Sequence, residues 1–119
     1  MIKISEIVNA EGVLKEISKN KKIPTRVAYR LFIMLSSIED VLKFYEEKKR
    51  ALFNKYGVAE GEMLVIPEDK KEIFMKEINE IGDLDCEKDI SKIDIELDVD
   101  LGISPSDVSL LIPFINFIE

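Results

Sequence analysis

Four acidic residues at alternate positions, Asp94, Glu96, Asp98 and Asp100, are the most distinctive chemical feature of the chain. They close a stretch, residues 83–100, that holds eight acids against two lysines, a local charge of -6. Carboxylates in such a row have two uses. They can present a negative edge that binds a basic partner and imitates nucleic acid, or they can be the solvated face of an amphipathic strand, where charge guards the edge against aggregation. Solvation is the simpler account. The alternate oxygen ligands superficially resemble a calcium loop. Counting from Asp94, however, the sixth and twelfth positions are Val99 and Pro105, and counting from Glu96 they are Leu101 and Asp107. A calcium loop needs glycine and glutamate there. No metal site and no cofactor is expected.

The second candidate is basic. Lys19, Lys21, Lys22, Arg26 and Arg30 cluster within twelve residues. Arg26 and Arg30 lie four apart, so on a helix they share a face and act together. Lys21, Lys22, Arg26 and Arg30 are the residues expected to hold a phosphate, an acidic surface or this chain's own acidic half. No glycine-rich phosphate loop accompanies them, which favours a solvated helix start or internal docking.

Catalysis has little to stand on. The chain has no histidine, and so lacks the commonest general base and metal ligand. Its sequence contains no Gly-x-Ser-x-Gly, Cys/His pair, Walker loop or dinucleotide fingerprint. The protein is expected not to be an enzyme. Cys86 is the only cysteine, so an intrachain disulfide is impossible and a buried thiol is expected.

The 119 residues are 46% hydrophobic and 34% charged, enough apolar surface for a core in a single domain spanning 1–119. The net charge of -7 is unevenly spread. Residues 1–57 carry 12 basic and 7 acidic groups, +5, and residues 58–119 carry 5 and 17, -12. Such halves either dock on each other or each present a charged face outward. No apolar run reaches the roughly 18–20 residues of a membrane span. The start, Met1-Ile2-Lys3-Ile4-Ser5-Glu6, has no signal-peptide layout, so the cytoplasm is the expected location. Neither a membrane nor direct nucleic-acid binding is expected.

These residues need elements to position them. Ser5 is placed to cap a helix over Glu6–Ser18, with Ile7, Val8, Leu14 and Ile17 inward and Gly12 weakening its middle. From Pro24 to Tyr56 there is no further glycine or proline, which predicts one long helix. Ala28, Leu31, Leu35, Ile38, Leu42, Tyr45, Leu52 and Tyr56 form a heptad-like seam, interrupted by Lys49. Val27, Met34, Val41 and Phe44 widen it, and Leu31–Leu35 is apolar all round, which predicts burial on every side. Gly57 supplies a left-handed stop. A helix of about 33 residues is roughly 50 Å long. A compact domain of this size is roughly 35 Å across, so either partner chains cover the overhang or the helix breaks near Ser36-Ser37. A homo-oligomer is the expectation.

Val58–Gly61 reads as a turn and Met63–Ile66 as a short strand. A helix follows from Pro67 to about Ile81, with Ile73, Phe74, Ile78 and Ile81 inward and a stop at Gly82. Ile93, Ile95, Leu97, Val99 and Leu101 alternate with the acidic row, which predicts a half-buried strand. Leu84, Cys86 and Ile90 mark a partner strand before it. Ser104-Pro105-Ser106-Asp107 is a helix start, and the tail Phe114–Ile118 is too apolar to hang free. The expected fold is α+β and mostly helical: one long helix over about 24–56, shorter helices, and a small antiparallel sheet from segments near 63–66, 84–90 and 93–100.

The layout has a resemblance. Arg50-Ala-Leu-Phe-Asn-Lys-Tyr-Gly57 closes the long helix, Ile66-Pro67-Glu68 opens the next, which carries Phe74 and Glu77-Ile78, and Ile103-Ser-Pro-Ser-Asp107 and Leu111 follow. This order, over about two thirds of the chain, resembles small uncharacterised proteins of tailed phages and prophages of Gram-positive bacteria. The resemblance implies a phage accessory protein that counters a host defence, and assigns no functional residue. On it, the expected function is that of a non-catalytic interaction protein in the host cell cytoplasm. Such a protein self-associates and binds a host protein or a small signalling nucleotide. The alternative is a structural or assembly protein of a phage particle.

Overall fold

The computed structural model describes residues 2–119; Met1, at the start of the amino-terminal stretch read above, lies outside them. In chain order the elements are α1 (Ile4–Ser18), α2 (Thr25–Tyr56), β1 (Val58–Glu60), β2 (Met63–Val65), a 3-10 turn (Glu68–Lys70), α3 (Lys71–Gly82), β3 (Ile93–Glu96), α4 (Pro105–Leu111) and β4 (Ile115–Ile118). The fold is α+β and mostly helical, as expected.

Helix α1 starts two residues earlier than the sequence suggests, and Ser5 is not its cap. Lys3 takes that position, and its backbone N–H donates to the Glu6 carboxylate at 3.0 Å. Gly12 does not split the helix. Ile4, Ile7, Ala10, Leu14 and Ile17 are buried, at the spacing of one helical stripe.

Helix α2 runs unbroken for 32 residues. Pro24 stands just before it, in extended conformation, and its carbonyl accepts from the N–H groups of Val27 and Ala28. The buried stripe is Val27, Leu31, Met34 and Ile38. It runs through Val27 and Met34 of the second row in place of Ala28 and Leu35, which are half-buried. The expectation that Leu31–Leu35 is buried all round fails within the chain: Phe32 is 62% exposed and Ile33 44%. The far half of α2 is not bare either. Tyr45, Leu52, Phe53 and Tyr56 pack around buried Ile66, Phe74 and Ile78, so α3 and the chain before it partly cover the overhang. Phe53 meets Phe74 edge to face, with centroids 4.8 Å apart. Ile73, expected inward, is exposed.

Gly57 ends α2 in extended rather than left-handed conformation, with φ -73°. Its lack of a side chain matters for another reason: a Cβ there would collide with the Phe53 carbonyl oxygen, which the Gly57 N–H approaches at 2.7 Å. The chain turns directly into the antiparallel hairpin β1–β2, so Val58–Glu60 is a strand and the turn follows it, with Gly61 at φ +66°.

The expected pairing of 84–90 with 93–100 does not occur. Residues near 84–86 tie instead to the chain start: the Ile4 N–H donates to Leu84 O at 3.0 Å and the Cys86 N–H to Ile2 O at 2.7 Å. Strand β3 pairs in parallel with β4, Ile93 opposite Ile115 and Glu96 opposite Ile118, with α4 in the crossover. The apolar tail thus docks on the core as a strand, with Phe114 and Ile115 buried. Cys86 is buried and free. The main core gathers α1, the first half of α2, Ile95, Leu101, Leu111 and Phe114.

Candidate functional site

The acidic row does not form one strand face. β3 ends at Glu96, because β4 offers a partner only as far as Ile118. The Val99 N–H then turns back to Glu96 O at 3.1 Å. Asp98 lies in that turn, exposed. Asp100 holds the next bend: its Oδ1 accepts from the Gly102 N–H at 2.9 Å, and Gly102 sits at φ +66°. That is an Asx turn with glycine at its left-handed position.

Asp94 and Glu96 remain on β3, which meets the basic cluster through the Asp94 backbone and the Glu96 side chain. The i,i+4 spacing of Arg26 and Arg30 places both on the side of α2 that β3 crosses. Arg30 Nη1 donates to the Asp94 backbone carbonyl at 2.6 Å. Arg26 Nη2 lies 3.4 Å from Glu96 Oε2, within ion-pair range but without hydrogen-bond geometry. The Asp94 side chain accepts from Asn116 Nδ2 of β4 at 3.2 Å. The Glu96 carboxyl is held below its ordinary pKa, chiefly by its own backbone N–H; burial opposes this, and Arg26 and Arg30 each add a smaller lowering. Half of each expected site therefore belongs to a single internal contact between the basic and acidic stretches. Lys21 and Lys22 stay on the exposed loop before α2, where the Lys22 N–H donates to Asn20 Oδ1 at 2.9 Å. No ion pair joins either lysine to an acid among the described residues. No grouping of three or more His, Cys, Asp or Glu residues able to hold a metal ion occurs among the described residues.

The surface that stands out instead is apolar. Tyr29, Phe32 and Ile33 lie at i, i+3 and i+4 on α2 and are 64%, 62% and 44% exposed. One helix face thus carries three large side chains in water. Beside Phe32 an open groove of about 730 Å³ runs between α1 and α2. Half-buried Leu35 and Leu42 line it together with Glu39, Lys43, Glu46, Glu47 and Arg50 of α2. A shallower depression continues from Glu46 and Arg50 to Phe53 and Leu64. The hairpin adds Val58, Met63 and Leu64, also exposed.

Sequence reasoning missed the Tyr29–Phe32–Ile33 row by reading the turn as buried. The signal was present: Tyr29 and Ile33 lie opposite the Val27–Leu31–Met34–Ile38 stripe on a helical projection. No helix among the described residues is long and apolar enough to cross a membrane. Comparison of the chain with protein-family models, curated proteins and solved structures finds no match.

Proposed function

We propose that this protein acts without catalysis, as an interaction protein that self-associates through α2 and binds a macromolecular partner. One observation carries the reading: Tyr29, Phe32 and Ile33 stand exposed on a single helix face. Large apolar groups gathered in water mark an interaction surface, whereas single ones are ordinary. Fully burying such a side chain is favourable by about 1.5–3 kcal/mol, and a covering chain gains the part of this that the 44–64% still exposed represents. The phage resemblance supplies the context, in which the partner is a host protein and the role is inhibition of a defence. The length of α2 favours a second reading, a structural or assembly protein of a phage particle, since a long helix with an open apolar face suits a repeating contact. Neighbouring genes separate the two roles: head and tail genes point to assembly, an isolated early gene to inhibition.

Self-association is tested by light scattering over a concentration series. A mass of twice 13.7 kDa or more at micromolar concentration is expected. A monomer throughout overturns self-association.

A further inference from the structure

We infer that α2 pairs with α2 of a second copy, antiparallel and about a two-fold axis that passes between Phe44 and Tyr45. The inference rests on the self-association proposed above and specifies its geometry. Phe32, Glu39, Lys43, Glu46 and Arg50 line the groove on one side of α2. With Gly57 added, the separations along the chain are seven, four, three, four and seven residues, the same from either end. Steps of three, four and seven keep side chains on one helix face as far as Tyr56, where α2 ends.

Reversing such a row about its midpoint exchanges Glu39 with Arg50, Lys43 with Glu46, and Phe32 with Gly57. Each charged residue of this row meets its opposite, while Glu47, which also lines the groove, falls opposite Leu42. The charges run minus, plus, minus, plus, and the reversed helix presents plus, minus, plus, minus against them. Two independent pairs share one centre, which a row placed only for solubility need not provide. A two-fold contact has this self-complementary form, with residue i meeting j and j meeting i. Phe32, the largest exposed group of the row, falls opposite Gly57, just past the end of the partner's helix, where the Phe53 carbonyl and the Leu64 side chain already fill the space a side chain would take. Leu64, beside Gly57, also edges the depression that Arg50 and Phe53 line one to two turns nearer the axis. Exposed Leu64 of the hairpin is then covered as well. Within one chain Glu39 and Lys43 already pair at 3.3 Å across one turn, so the dimer shares charges that also support the helix.

Exchanging two of these charges separates the intermolecular contact from the intrahelical one. Lys43→Glu turns two symmetry-related attractions into repulsions and is expected to raise the dimer dissociation constant by roughly tenfold. The double variant Lys43→Glu/Glu46→Lys restores opposite charges across the two-fold axis. It also places like charges four apart within each helix, so intrahelical pairing alone predicts no rescue. Dissociation constants from sedimentation equilibrium are expected near wild type for the double variant, and raised for Lys43→Glu and for Phe32→Ala. Helix content by circular dichroism checks folding. A dimer indifferent to Lys43→Glu, or one not rescued in a folded double variant, overturns the register and leaves self-association standing. A monomeric wild type overturns both. Where the double variant is unfolded, Phe32→Ala decides, because that side chain is exposed and its loss leaves the core intact: an unchanged dissociation constant overturns the pairing.

Discussion

Glu96 is one of the places where the two charged halves of the chain touch, and its ionisation links that contact to pH. Its own backbone N–H, then Arg26 and Arg30, favour the carboxylate and hold its pKa below the ordinary value. A carboxyl whose pKa is depressed on folding stabilises the fold above its unfolded pKa of about 4.3 and loses that contribution as pH falls through the folded value. Glu96→Gln is therefore expected to melt at a lower temperature than wild type at pH 7, with the two melting temperatures converging below about pH 4. A gap that stays constant into acid assigns the effect to packing instead of charge. At this scale the sequence was partly legible. The shared face of Arg26 and Arg30 follows from their spacing, and internal docking was among the expected readings. That Arg26 meets Glu96, and Arg30 the Asp94 carbonyl, depends on β3 crossing α2, which no local pattern encodes.

Helices were legible because their signals are local. Ser104-Pro105-Ser106-Asp107 starts α4 as its residue types require, and Ser104 Oγ accepts from the Asp107 N–H at 3.2 Å. Ser104→Ala is expected to lower unfolding free energy by about 1 kcal/mol, the usual cost of a lost cap, measured as a shift of the urea midpoint at unchanged slope. No shift removes the cap from the account of α4. Strand pairings were not legible, because a strand's pattern states which face is buried and not which neighbour it joins. The alternation over 93–101 continues past Glu96, yet β4 gives partners only to Ile118. Segment 84–86 lies beside the chain start, to which it is bonded through Ile4 and Cys86. The expected burial of Leu31–Leu35 erred for a related reason: apolar composition does not reveal how many neighbours one small chain can place around a helix.

The whole molecule is an elongated body of 51 × 30 × 23 Å with a radius of gyration of 17.1 Å, against about 13–14 Å for a compact domain of this length. The excess follows from α2, which carries two apolar clusters at different heights. Among the described residues, fifteen buried ones gather around its first half and three around its second. One continuous helix therefore spans two regions of unequal local stability. Amide exchange follows local opening as well as global unfolding, and sparsely packed units open at lower free energy. At dilutions that keep the protein monomeric, the amides of Val41–Tyr56 and of α3 are expected to exchange faster than those of Val27–Ile38. Uniform protection along α2 would show a single cooperative unit. Self-association would slow exchange from the β1–β2 hairpin and the far half of α2, since the antiparallel pairing lays the well-packed half of one copy beside the thinly packed half of the other. Each copy would then supply the packing that its neighbour's weaker end lacks, and dilution, rather than heat, would be the first condition to loosen it.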